Sequence, residues 1–348
     1  MKRLTSIGAT FTLLFASTVM AGPLDTAKVP RDAKWVIHVD YEALSETAVM
    51  EKLREARPQI VQQVRGWLQE RYGIDPREDL HGVTLFSDTY DAHTGAIVLF
   101  ADYDLEKVKS DLMSKSGVKS TQWEGHTLFT WTAHKNAASY EGHADSRSDE
   151  DAADRKSNTE EARPHEEHEG GSVTAVLLDG KTAVFAPTPD RVQSVVKLLQ
   201  GDAPAIEGED SKLIADIPKG AILYGAAVEL QDIAGREQLF PILQQHEHIR
   251  WVVGERDGRL FEECTLVAQN KEVASQMKTA LEGFVAFGKL WAADSEELAS
   301  LYDDVEIRQQ GSTVRLEWEG ESEEVVAALS AFGDRLAQWS GRQQRRRQ

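Results

Sequence analysis

The chain has 348 residues, 41% hydrophobic and 28% charged, the composition of a globular protein of one to three domains. Thirty-nine basic against 58 acidic residues leave a net charge of −19, which argues against broad contact with nucleic-acid phosphates or an anionic membrane surface. A single cysteine, Cys264, rules out an intramolecular disulfide and any cysteine-cluster metal site.

The N-terminus reads as a secretory signal peptide over residues 1–21. Met1-Lys2-Arg3 is a positive n-region, Ile7 to Met20 is apolar or small, and Val19-Met20-Ala21 fits cleavage before Gly22. The apolar stretch is shorter than the roughly 20 residues of a spanning helix. No cysteine follows the cleavage point and no twin arginine precedes it. The expectation is therefore export by the general secretory route to a bacterial periplasm or beyond, with no transmembrane segment.

After Pro30, Trp35 to Asp40 reads as a strand. Val49, Leu53, Ala56, Ile60, Val64 and Trp67 recur at helical spacing, with Pro58 predicted to open a second helix and Gly73 to end it. Val83 to Phe86 and Ala96 to Phe100 read as strands, Leu105, Val108 and Leu112 as a helix stripe, and Lys119 to Trp131 as a hairpin on Glu124-Gly125. Glu141 to Ser172 then holds no Val, Ile, Leu, Met, Phe, Trp or Tyr, and its eleven acids outnumber four bases. Such a stretch cannot bury enough apolar surface to offset the entropy of ordering it, so residues 139–171 read as a disordered acidic insert.

Order returns with a hairpin on Asp179-Gly180 and a helix striped by Val192, Val196 and Leu199. Ile217-Pro218-Lys219-Gly220-Ala221-Ile222-Leu223 echoes Val29-Pro30-Arg31-Asp32-Ala33-Lys34-Trp35. A helical stretch to about His248 and a hairpin on Asp257-Gly258 follow. A helix then carries Met277, Leu281, Phe284, Phe287 and Trp291, all read as core. The last unit is a hairpin at Gln310-Gly311 and a helix with the seam Val325, Leu329, Phe332, Leu336 and Trp339.

One unit recurs: a strand ends, a few polar residues turn the chain, and a helix opens with a valine, at Val108, Val192, Val273 and Val325. The predicted fold class is α+β, with two related halves of mainly antiparallel sheet built from ββα units and helices packed on one face. The halves fall at 22–205 and 206–340, with a basic tail over 341–348 carrying Arg342, Arg345, Arg346 and Arg347.

Searches for chemistry return little. There is no nucleophile elbow, dinucleotide fingerprint, phosphate-cradling loop or zincin helix. Ser116-Gly117-Val118-Lys119 matches the Ser-x-x-Lys of penicillin-binding enzymes, but it falls in a turn and not at the head of a buried helix. His38 and Asp40 share one face of a strand, as an oriented general base and its carboxylate would. The plainer reading makes Asp40 a helix cap and His38 a solvent-facing or strand-end polar residue. His143, His165 and His168 lie in the acidic insert, where only loose transition-metal binding fits. His246-Glu247-His248 reads as the polar end of a helix. No cofactor is implied.

Gly22-Pro23-Leu24-Asp25, then Val29 through Leu44, resembles the opening of uncharacterised exported proteins of planctomycete-type bacteria. That resemblance implies bacterial export and assigns no activity. The expected function is a non-enzymatic exported protein, a binding or envelope-associated module with an envelope or protein partner. The alternatives are an exported hydrolase using surface carboxylates, or weak metal binding through the acidic insert.

Overall fold

The computed structural model describes residues 22–91, 93–132, 171–206, 211–215, 217–232 and 245–333. Residues 1–21, expected to be a signal peptide, residues 139–170 of the expected acidic insert with His143, His165 and His168, and the basic tail lie outside the described residues.

The first half runs β1 (Trp35–Asp40), α1 (Tyr41–Glu46), α2 (Ala48–Ala56), α3 (Pro58–Tyr72), β2 (Leu80–Ser87) and β3 (Ala96–Ala101). It continues with α4 (Leu105–Ser114), β4 (Lys119–Trp123), β5 (His126–Thr132), β6 (Ser172–Leu177), β7 (Thr182–Ala186) and α5 (Pro189–Leu199). The second half holds β8 (Ala221–Val228), β9 (His246–Arg256), β10 (Arg259–Ala268), α6 (Lys271–Ala292), α7 (Glu296–Ser300), β11 (Glu306–Gln310) and β12 (Thr313–Glu321). Residues 322–333 form α8. His246 and His248 open strand β9 and do not end a helix: His248 pairs with Val228 and Val267, and His246 with Ala268.

Local chemistry sets these boundaries. Asp104, Thr188 and Asn270 each cap a helix by accepting from the backbone N–H three residues on. Pro58 stands in the first turn of α3, where its missing N–H costs nothing. At Glu124-Gly125 and Asp257-Gly258 both residues take positive φ, the turn whose twist matches an antiparallel hairpin.

All twelve strands join one antiparallel sheet in the order β11-β12-β10-β9-β8-β1-β2-β3-β7-β6-β5-β4. β1 and β8 pair at the centre, Trp35 opposite Ala227 through Val39 opposite Leu223. Outward from that pair the two halves repeat one strand order: β8-β9-β10-β12-β11 matches β1-β2-β3-β7-β6, and the β4–β5 hairpin is extra.

The helices, expected on one face, divide between two. Val98 and Phe100 of β3 pack with Val192, Val195 and Val196 of α5. Leu99, between them and so pointing the other way, packs with Leu105, Val108 and Leu112 of α4. α6 shares the α4 face, through Ala274 and Met277 against Leu266 and Val314. α8 lies on that face too, with Val325 and Val326 against Leu260, Trp318 and Val49.

The α5 face of the second half carries charge in place of a helix. Arg256 bridges Glu263 and Glu319, Arg259 reaches Glu321 at 2.8 Å, and Arg308 and Arg315 both reach Glu317. Beneath this ladder Phe261 is 1% exposed, with the Arg256 guanidinium 4.1 Å above its ring. Gly254 makes room for that ring, since a Cβ there would collide with it.

The aromatic stripe of α6 departs from expectation. Met277 is buried and Leu281 joins the core around it, but Phe284, Phe287 and Trp291 are 73%, 67% and 40% exposed. In α8, Leu329 and Phe332 are 49% and 41% exposed. These side chains share one face of the helix, as the periodicity predicts, but past Leu281 α6 overlies α7 and α8 in place of the sheet.

Burial predicts unequal costs for two phenylalanines. Phe261→Ala is expected to destabilise by about 3–5 kcal/mol and Phe332→Ala by less than about 2 kcal/mol, because only the first leaves a closed cavity. Chemical denaturation of both variants measures the difference, and equal losses would show that α8 packs as a core helix.

Candidate functional site

His38 and Asp40 are brought together but not into a site. His38 is 4% exposed; its Nε2 lies 3.1 Å from the Gly22 carbonyl and its Nδ1 2.9 Å from the Thr84 hydroxyl. A carbonyl only accepts, so Nε2 carries the proton and Nδ1 accepts from Thr84. Burial pushes the imidazole pKa down, against the raising pull of the Gly22 carbonyl and Asp40. The ring is therefore a neutral tie between β1, β2 and the start of the described chain, and not the solvent-facing residue expected. Asp40, 5% exposed, accepts from the Ala43 N–H at 2.9 Å and caps α1 as expected. Burial raises its carboxyl pKa. The cavity beside His38 holds about 10 Å³, at the lower limit for one water molecule. No substrate fits there.

A second histidine cluster was not visible in the sequence. His81 at the start of β2 meets Glu42 of α1 at 2.5 Å through Nδ1 and Asp102 at 3.6 Å through Nε2. Lys181, from the β6–β7 turn, reaches the same Asp102 at 2.9 Å and holds its carboxyl below the usual range. Glu42, Asp102 and Lys181 lie far from His81 in sequence, so no local spacing announces the string. Among the described residues, no group of three or more His, Cys, Asp or Glu is arranged to hold a metal ion. Burial lifts the Cys264 thiol to about 11, which keeps it protonated and unreactive at neutral pH.

An open cleft of about 1070 Å³ lies where β1 begins and β8 ends. Four of its charges are paired, Lys34 with Glu229 at 3.1 Å and Lys212 with Glu247 at 3.3 Å. Nothing in it joins a nucleophile to a base, and Asp40, with its raised pKa, does not line it.

The remaining feature is the apolar surface of α6 and α8. Asn270 starts α6, Ala274 and Met277 anchor it to β10 and β12, and Ala292 fixes its far end against Leu298 and Ala328. Between those anchors Phe284, Phe287 and Leu290 project outward, 73%, 67% and 76% exposed. Trp291 bridges to α8 through the Phe332 ring, centroids 6.1 Å apart. Scattered exposed apolar residues are ordinary; a contiguous set on two joined helices marks a docking surface. The sequence held this stripe, but periodicity alone assigned it to the core.

No family model matches the chain, and no curated protein does. Among solved structures it is similar to the protein TP0453 in crystal forms III, I and IV, at 9% identity with TM-scores of 0.44, 0.42 and 0.40. Each alignment covers 88% of this chain and 98%, 97% and 96% of that one. Likenesses at that level say nothing of what this chain binds.

The His38 tie carries a pH dependence with a fixed sign. A folded pKa below the ordinary 6.5 means that the unfolded chain takes up the proton first, so stability falls as pH drops through about 6.5 and levels below the folded pKa. Burial lowers His248 in the same direction. Asp40 acts oppositely, gaining stability as pH falls through its raised pKa toward 3.8. His38→Gln is expected to reduce the loss of stability between about pH 7 and pH 6 in denaturant titrations. An unchanged slope would mean that His38 titrates alike in both states.

Proposed function

We propose that the chain is an exported, non-enzymatic binding module that docks through the α6–α8 surface. The exposure of Phe284, Phe287 and Leu290 on a helix anchored at both ends carries this reading. Each such side chain contributes about 1.5–3 kcal/mol when it leaves water, so holding three outside the fold is a standing cost unless a partner covers them. Export is supported by the positive n-region, the apolar stretch to Met20 and the cleavage pattern before Gly22. The paired surface charges and tied histidines of the described residues supply positioning and solubility.

Cell fractionation of the native host tests the reading. The wild-type chain is expected in the exported fraction, retained with the envelope. A variant with Phe284, Phe287 and Leu290 all changed to Ser should be retained at least about tenfold less, since 1.4 kcal/mol is one factor of ten. Its thermal midpoint should stay within a few degrees of wild type, because the replaced side chains are already exposed. Equal retention of the two chains would sink the proposal.

A further inference from the structure

α6 carries a glycine that its own chain does not need. Glycine inside a helix is less favourable than alanine, so a packing reason is expected for it. Gly288 has one, since a Cβ there would run into the Tyr302 ring. Gly283 has none: nothing stands within 4 Å of where its Cβ would be. It lies beside Phe284 and one turn from Phe287, on the exposed arc of the helix. Bare backbone flanked by large apolar side chains is the shape of a groove that accepts the ridge of a second helix at short distance.

Charge around the arc narrows the partner. Lys278 pairs with Glu282 at 3.3 Å, Lys289 with Asp303 at 2.9 Å, and Lys52 with Glu323 at 2.6 Å. A helix that lies on lipid keeps lysines and arginines available for headgroups, and these three lysines are committed to acids. With these lysines neutralised, two copies meet without opposing bare lysines. Its size agrees: with side chains of about 150–250 Å² and the exposures above, the two helices offer about 600–700 Å² of apolar area. A standard interface takes about 800 Å² from each partner. Two-fold pairing presents one patch twice, so a self-complementary arc suffices.

We propose that the occupant of this surface is a second copy of the chain, the two α6 helices crossing at Gly283. Phe284, Phe287 and Leu290 of each copy then pack around the other's Gly283. The proposal rests on the reading of α6–α8 as a docking surface, names a second copy as what docks there, and makes the paired chain the species that the envelope retains.

Sedimentation velocity of the exported chain from about 1 to about 100 µM tests it. The expected result is a monomer–dimer equilibrium that weakens at least about a hundredfold in Gly283→Leu, the loss typical of a central interface residue. Leucine is a better helix former than glycine, so that variant keeps its fold. Trp67→Ser, on exposed α3, should leave the equilibrium unchanged. As a second readout, Gly283→Cys treated with an added thiol oxidant should give a covalent dimer, since the crossing sets the two residues side by side. A monomer at every concentration overturns the proposal, as does a dimer indifferent to Gly283→Leu, or a monomer that co-sediments with phosphatidylcholine vesicles. If the wild type is monomeric while the triple serine variant still loses envelope retention, the docking reading stands and only the partner is wrong. If neither association nor retention responds, both fail.

Discussion

β1 and β8 run side by side and antiparallel at the middle of the sheet, and every other element is placed by that pairing. It makes one sheet of two halves, so neither half presents a free edge at the junction. The outer edges are β11 and β4, and both are polar: Glu306, Arg308 and Gln310 on one, Lys119 through Gln122 on the other. Unpaired strands of that composition resist addition of another sheet. The pairing also fixes both faces, because one row of side chains can be followed across seven strands from β3 to β12. Val98, Thr84, His38, Tyr224, Val252, Glu263 and Glu317 follow one another on a single row of one face.

That row explains why matching topology ends in different packing. On the first-half side it is apolar, and α5 covers it. Beyond Val252 it becomes Glu263 and Glu317, which arginines satisfy directly and a helix could not cover without stranding charge. The helix after β12, whose counterpart is α5, therefore packs on the opposite face beside α6. Two helices crowd one face of the second half, and the outer arc of α6 is lifted away from the sheet. The exposed aromatic surface follows from the charges of β10 and β12.

The sequence made local features legible. Each hairpin turn stood at its Gly-containing pair, and the valines that head the stripes, Val192 and Val325, are buried. The cap at Asp40 and the helix break at Pro58 could be read because their chemistry acts within a few residues. What stayed illegible depends on distance. Periodicity shows that Phe284, Phe287 and Trp291 share a face but does not show what lies opposite. His81 meets Glu42 only because α1 folds back beside β2. His38 read most plainly as a solvent-facing or strand-end residue, and only the placement of Gly22 over its Nε2 shows it to be a buried tie.

An apolar arc this large invites indiscriminate adhesion, and the net charge of −19 acts against it. Like-charged copies repel at long range, with a reach of about 8 Å at physiological ionic strength. Contact therefore requires an approach close enough for the arcs to interlock, which favours a shape-matched partner over accidental ones. The same screening means that added salt should strengthen association between copies, by removing repulsion while leaving apolar burial intact. Attraction to a cationic partner would weaken instead. The sign of the salt dependence thus separates self-docking through α6 from electrostatic capture by the acidic surface.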